Sequence, residues 1–363
     1  MDSYLDEMIE KAILEDASDI YIQSEGLVFF RVQGRMRAVS DRPPEGYEID
    51  DAVERILKVS GARAQLYDRE EKDLSYTRST GSGREKRSFR FRVNICLTKK
   101  GVSIVMRRLK AVTPNPLDLG VPGDLLQLIL ESLTGGIIFI AGPTGSGKST
   151  TLASITAYLA RSRCLNCVTI EDPIEYDIPE GISNIIEREV GTTTLSFERA
   201  LRAAMRQRPD IILVGEVRDP ETAIAAVQAA KTGHLVFTTI HTLMATQVPG
   251  RIASMFPADK QEWIVRELTD VLIAAAVQVL VSTGGSNGEG ARMVLATEFM
   301  DTKGPAARDL IQRGRYDLLR EQLRDGKIGW TLNQSLRVLI DSGEVSQDEA
   351  HRATNDLALF MRE

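Results

Sequence analysis

Over residues 1–110 the apolar positions come in short groups broken by turn residues. Asp19 to Gln23, Leu27 to Val32 and Arg35 to Val39 are separated by Glu25-Gly26 and Gln33-Gly34, which predicts a meander of small strands. From Asp50 to about Tyr67, Val53, Ile56, Leu57 and Ala64 recur at helical intervals. Arg87 to Leu97 and Val102 to Leu109 are two more predicted strands, joined by the turn at Lys99-Lys100-Gly101. Such a segment is α+β. The stretch from Ala111 to Gly123 carries three prolines and two glycines in 13 residues, so neither periodic structure continues through it, and residues 111–122 are expected to be a linker. Beyond it, Ile137 to Ala141, Cys167 to Ile170, Ile211 to Val214 and Leu235 to Ile240 are continuously apolar and alternate with helical stretches, the pattern of a mostly parallel sheet covered on both faces. Asp219-Pro220-Glu221 is a helix start, with a capping aspartate, a proline at the first helical position and an early acid; the helix is expected to stop at Gly233. From Gly304 onward the chain reads as charged helices, and Gly284 to Gly288 as a loop tip. The expected organisation is therefore α/β: an N-terminal α+β domain (1–110), a Pro-rich linker (111–122) and a C-terminal α/β domain with a helical tail (123–363).

Composition narrows the classes. With 363 residues, 43% hydrophobic and 26% charged, two cored domains are expected and wholesale disorder is excluded. Forty-five basic against 51 acidic side chains give a net charge of −6, which argues against a chain-wide grip on nucleic acid. Nine Lys or Arg against one Glu between Arg84 and Arg108 leave room for a local basic patch, or for a solvated sheet edge. Three cysteines make no disulfide framework, and the acidic start is unlike a secretory leader, so a cytoplasmic location is expected. The longest nearly apolar run, Val271 to Val281 with Gln278 inside it, is too short to span a bilayer. Any membrane link is expected to run through a partner.

Gly142-Pro143-Thr144-Gly145-Ser146-Gly147-Lys148-Ser149 matches G-x-x-x-x-G-K-[ST] between the strand ending at Ala141 and a helical stretch that starts at Thr150. Glycines let main-chain N–H groups turn toward phosphate oxygens, and the helix N-terminus adds positive potential. Lys148 reaches the outer phosphates and the Ser149 hydroxyl ligates Mg²⁺. ATP and Mg²⁺ are thus the expected ligands. Glu216, one glycine beyond the apolar run at 211–214, stands where such sheets often place an acid for Mg²⁺ or water. Glu171, Asp172 and Glu175 cluster after the neighbouring strand, where a carboxylate can polarise water and where acids are equally often merely solvated. His234 and His241 bracket the strand at 235–240; such histidines can sense phosphate, although a core or loop role is the ordinary one.

The segments GPTGSGKST, TIEDPIEY, RPDIILVGEVRD and TGHLVFTTIHT resemble, in order and spacing, the Walker A, Asp box, atypical Walker B and His box of the secretion and pilus ATPase superfamily, specifically its pilus-retraction (PilT-like) and type IVB secretion (DotB-like) branches. Residues 17–22 and 90–94 resemble that family's N-terminal domain, so the likeness spans most of the chain. It implies a PAS-like N-terminal domain joined to a RecA-like P-loop ATPase domain with C-terminal helices. It also implies a homohexamer that hydrolyses ATP between neighbouring domains and works on inner-membrane platform or secretion-complex proteins. By position, Glu175 would be the general base for water, Glu216 would act on Mg²⁺, and His234 and His241 would belong to the His box. Arg92 and Arg107 match family arginines that stabilise phosphate charge across the ring interface. The retraction branch's C-terminal Ala-Ile-Arg-Asn-Leu-Ile is matched at four of six positions by Ala306 to Ile311. The four-cysteine metal site of extension-type relatives is missing: only Cys164 and Cys167 are closely paired, and they are expected to be core or surface thiols. His351 is expected at the surface. Two other readings stand beside the motor: a RecA-like nucleic-acid motor using the basic strands, and a nucleotide-sensing scaffold without appreciable turnover.

Overall fold

The structure, a computed structural model, describes residues 3–32, 35–58, 71–80, 87–109, 115–179, 181–283 and 292–361. The expected turn at Gln33-Gly34, the helix beyond residue 58, the start of the basic run, the first part of the linker and the glycine loop at 284–288 lie outside these residues.

By their internal contacts the residues form two compact units, one of 1–111 with Pro173–Asp177, the other of 112–172 and 178–363. The first contains helix α1 (Tyr4–Leu14), strands β1 (Asp19–Gln23), β2 (Phe29–Val32) and β3 (Arg35–Ala38), helix α2 (Gly46–Leu57), and strands β4 (Lys72–Thr80), β5 (Arg87–Thr98) and β6 (Gly101–Arg108). Its sheet runs β3-β2-β1-β6-β5-β4 with every neighbour antiparallel. Side chains alternate along these strands: Ile20, Ile22, Phe91, Val93, Ile95, Ile104 and Met106 face one way and meet Leu5, Ile9, Ile49 and Val53 of the two helices. Helix α1 starts on a reciprocal cap between Ser3 and Asp6. Helix α2 ends at Leu57 with Lys58 in a left-handed conformation; the expected stretch onward to Tyr67 lies outside the described residues.

The second unit opens with helix α3 (Gly123–Leu130), strand β7 (Gly136–Ala141), helix α4 (Lys148–Ser162), and strands β8 (Asn166–Glu171) and β9 (Asn184–Glu189). Helix α5 (Phe197–Ala204), strand β10 (Ile211–Val214), helix α6 (Pro220–Lys231) and strand β11 (Leu235–Ile240) follow. Helices α7 (Val248–Ala253) and α8 (Ala258–Val271) lead to strands β12 (Leu272–Ser282) and β13 (Met293–Asp301). The tail comprises α9 (Pro305–Gln312), α10 (Tyr316–Arg324), the short strand β14 (Gly329–Trp330), α11 (Leu332–Asp341), α12 (Gln347–Ala353) and α13 (Leu357–Phe360). The sheet order is β14-β13-β12-β7-β11-β10-β8-β9, parallel from β12 to β9 and antiparallel at β13 and β14.

Solid apolar strands are what a sheet buried on both faces requires. Phe139, Ile170, Val214 and Val236 pack against Ala225, Ala226 and Leu268 on one face. Ile138, Ile140, Leu213 and Phe237 pack against Leu125, Ile129, Leu152 and Ile155 on the other. The apolar run at 271–281 is the strand β12 in the middle of this sheet. Asp219 caps α6 by accepting from the Thr222 N–H at 2.7 Å, with Pro220 next in line. The C-terminal helices bury Leu332, Leu336, Ala350 and Phe360 against Val281 and Ala296. His351 corrects its expected surface position: it is half-buried and meets the Phe360 ring edge-on at 5.3 Å, because the tail folds back on its own sheet.

Candidate nucleotide site

The phosphate loop lies at the C-terminal end of β7, where parallel sheets open their ligand crevice. Its geometry follows from its glycines. Gly142, Gly145 and Gly147 have φ of +139°, +82° and +85°, a region that side chains rarely enter, and a Cβ on Gly142 would stand 2.4 Å from the Gln278 carbonyl oxygen. Lys148 begins α4, is 8% exposed and donates from Nζ to the carbonyls of Gly142 and Pro143, both at 2.9 Å. Its ammonium is therefore held over the loop, where the N–H groups at the start of α4 also point. Ser149 and Thr150 complete that first turn, each half-buried.

The next strands bring two further residues here. Because β7 and β11 pair in parallel with Ala141 beside Ile240, His241 emerges at the same edge as Gly142. Glu216 follows Gly215 at the end of β10, and this bend is tied down: the Gly215 N–H donates to the Ile170 carbonyl at 2.8 Å, and Thr239 Oγ1 donates to the Gly215 carbonyl at 2.6 Å. Glu216 pairs with Arg218, and its other oxygen is 3.9 Å from His241 Nε2. Burial first, then the Lys148 ammonium, hold the His241 imidazole below its ordinary range, against the opposing pull of Glu216 and a main-chain bond to Gly142. A neutral imidazole beside a carboxylate and an ammonium can donate one hydrogen bond without adding charge.

Of the buried hydroxyls in this unit that have no partner, two lie at this edge: Ser146 Oγ in the loop itself and Thr242 Oγ1 just past His241. An unpartnered buried donor inside a cradle that only glycine can shape fits a phosphate oxygen. The Ser149 hydroxyl and the half-buried Glu216 carboxylate are hard oxygen donors of the kind Mg²⁺ takes.

The other predicted residues lie elsewhere. His234 stands at the opposite end of β11, about 20 Å of strand away from His241. Its Nδ1 contacts the Ala229 carbonyl at 3.0 Å and Thr232 Oγ1 at 3.1 Å. Parallel strands put the residue before a strand and the residue after it on opposite edges, so this chain brings only His241 to its own phosphate loop. Glu175 is half-buried in the segment Pro173–Asp177, which belongs to the first unit. Arg92 and Arg107 also lie in the first unit, directly paired across β5 and β6, with Arg107 Nε donating to the buried Asp19 at 2.8 Å. Cys164 is exposed and Cys167 fully buried. Among the described residues no cluster of His, Cys, Asp or Glu could hold a metal on protein ligands alone, and no helix is long and apolar enough to cross a membrane.

Sequence reasoning passed over Gln278, Thr239 and Arg218. Gln278 carries the clearest signal, a lone amide in an apolar run. It is 2% exposed, and its Nε2 donates to the Ser146 carbonyl at 2.6 Å.

The chain has extensive relatives. The family described as "Type II/IV secretion system protein" matches residues 1–319. A "Twitching motility protein" of Neisseria gonorrhoeae is 35% identical over 325 residues, 89% of this chain and 83% of that one. The "Type IV pilus retractation ATPase PilT" of Pseudomonas aeruginosa is 32% identical over 347 residues, 95% of this chain and 96% of that one. Among solved structures, the pilus retraction motor PilT with bound ADP superposes with a TM-score of 0.86 at 33% identity, covering both chains fully. The Legionella pneumophila ATPase DotB superposes with a TM-score of 0.82 at 27% identity, covering 96% of this chain and 94% of that one. With these likenesses across both units and a phosphate loop built to hold a nucleotide, the chain belongs to the type II/IV secretion system protein family and is an ATPase with a RecA-like domain.

Proposed function

We propose that this ATPase is a homohexameric, Mg²⁺-dependent motor that drives retraction of a type IV pilus through inner-membrane platform proteins. The observation that carries the reading is the convergence of Lys148, Glu216 and His241 on one loop in a chain whose similarity to a retraction motor runs end to end. Residues 1–110 serve as the N-terminal domain, 111–122 as the linker and 123–363 as the ATPase domain. The loop from Gly142 to Thr150 binds the phosphates, and Lys148 neutralises charge on the outer ones. Ser149 and Glu216 would hold Mg²⁺, which when bound offsets charge on the bridging oxygens. Glu175 accepts the proton of the attacking water as its oxygen bonds to the γ-phosphorus and the bond to the β-phosphate oxygen breaks. His241 donates to a phosphate oxygen. Arg92 and Arg107 of one subunit act on the nucleotide of the next, as a head-to-tail ring permits. His234, remote from its own loop, has a place in this scheme only toward a neighbouring subunit.

A second destination, a type IVB secretion apparatus, is favoured by one position: Asp309 on α9 stands where the retraction signature has asparagine, and its carboxylate pairs with Arg313 just past that helix. Expression in cells lacking their own retraction ATPase separates the two. Restored twitching supports retraction; a well-expressed, ATP-hydrolysing protein that leaves the cells non-motile supports the secretion apparatus. Turnover strongly stimulated by single-stranded DNA would instead place the chain with nucleic-acid motors.

A further inference from the structure

His241 is followed by a loop whose next residues are fastened, one after another, to the C-terminal part of the chain. The Leu243 carbonyl accepts from Asn355 Nδ2 at 2.7 Å. Met244 Sδ lies against the Arg320 guanidinium, which also reaches Asp356 Oδ2 at 3.1 Å. The Ala245 N–H donates to Glu298 Oε1 at 2.6 Å. Glu298, on β13, is fully buried, and its Oε2 takes the Leu332 N–H at 3.4 Å and Asn355 Nδ2 at 3.5 Å. Asn355 thus spends one amide hydrogen on the loop and one on the carboxylate. The turn that carries it is tied to the start of α11, since Thr354 Oγ1 donates to Asn333 Oδ1 at 2.5 Å and Asn333 Nδ2 donates to the Asp356 carbonyl at 3.2 Å.

A carboxylate with no water access is costly to keep unless several donors converge on it, and a half-satisfied one is worse than none. Here the donors come from three places: the loop after His241, the N-terminus of α11 and the turn before α13. The carboxylate is satisfied only when all three are in register. Between His241 and Leu243, the first loop residue that Asn355 holds, stands only Thr242, whose buried hydroxyl has no partner; Ala245, which meets the carboxylate, lies two residues further on. The turn at 354–356 is therefore tied to the loop two peptide units from His241.

We propose that Glu298, Asn355 and Arg320 are positioning residues that set His241 against the nucleotide phosphates and so couple the C-terminal helices to the hydrolytic site. The inference rests on the reading of His241 as a phosphate-contacting residue. A structural latch alone would affect stability; a positioning latch affects turnover, and only while His241 is there to be positioned.

The test is a double-mutant cycle in the full-length protein, reading kcat, affinity for a fluorescent ATP analogue and thermal midpoint. Asn355→Ala is expected to lower kcat about tenfold while analogue affinity stays within about twofold, and in a His241→Ala background to lower it by less than about twofold further. Arg320→Lys, which keeps the charge near Glu298 but cannot span Met244 Sδ and Asp356 with two nitrogens, is expected to act in the same direction, about threefold. An Asn355 effect of full size in the His241→Ala background, or a loss confined to the thermal midpoint, overturns the positioning role while leaving the reading of His241 intact. If His241→Ala itself leaves kcat unchanged, the reading of His241 fails, and the coupling to it fails as well.

Discussion

Gln278 Nε2 donates to the Ser146 carbonyl at 2.6 Å, so the crown of the phosphate loop hangs from β12, the strand beside the one that leads into it. The bond is buried, and removing its donor is expected to cost about 1–3 kcal/mol. Gln278→Leu keeps the apolar strand but loses the strap. Its affinity for a fluorescent ADP analogue is expected to fall about tenfold, equivalent to about 1.4 kcal/mol, with a lowered thermal midpoint. Wild-type affinity in the variant would show that the loop holds its shape unaided.

The same strand limits the loop's other end. A Cβ at Gly142 meets the Gln278 carbonyl oxygen at 2.4 Å, whereas at Gly145 it meets nothing within 4 Å, although both residues have positive φ. Gly145→Ala is expected to cost only the backbone strain of about 1–2 kcal/mol. Gly142→Ala adds a clash with main chain and is expected to abolish nucleotide binding at concentrations that saturate Gly145→Ala. Equal behaviour of the two in a binding titration would contradict this account of the loop.

The cysteine pair separates by reactivity. Burial pushes the Cys167 thiol up to about 12, while Cys164, three residues earlier, is exposed. Iodoacetamide at pH 8 is expected to modify Cys164 in the folded protein and to reach Cys167 only after unfolding. Rapid labelling of Cys167 under native conditions, read by peptide mass spectrometry, would refute the buried assignment.

Glu298 makes stability depend on pH in a stated direction. Burial raises its folded-state value, against the lowering effect of Arg320 and the donated hydrogen bonds. The folded protein therefore binds this proton more tightly than the unfolded chain does, and the wild type's stability relative to Glu298→Gln is greatest below about pH 4. That difference declines as pH rises through the raised value, and is least above it. Urea unfolding of both proteins from pH 4 to 8 checks the sign; a difference that grows with pH would reverse the assignment.

What the sequence made legible follows the strength of local signals. The buried parallel strands read directly, since a strand covered on both faces must be apolar throughout; Ile211–Val214 and Leu235–Ile240 have the same bounds in the structure. Asp219 and Pro220 marked a helix start for reasons of N–H satisfaction, and the cap forms. Strand β12 was harder, because an apolar run of that length fits a buried helix or strand equally well and only its partners β7 and β13 decide. Within the site, Lys148 and Glu216 were found because their chemistry depends on short spacings. Gln278 and Glu298 were not, since what they touch lies 132 and 53 residues away along the chain. The two histidines show the limit of a motif: six strand residues separate them, and strand direction sends one to the phosphate loop and the other to the far edge.

Under the proposed function, Lys148 of the phosphate loop binds the nucleotide and Glu175 serves as the general base. Steady-state phosphate release with Mg²⁺, paired with equilibrium binding of a fluorescent ATP analogue, tests it in the wild type, Lys148→Ala and Glu175→Gln. Lys148→Ala is expected to lose both binding and turnover. Glu175→Gln is expected to bind within about threefold of wild type yet release phosphate at least about a hundredfold more slowly. Turnover by Glu175→Gln at the wild-type rate, or by Lys148→Ala with undiminished affinity, would contradict the account.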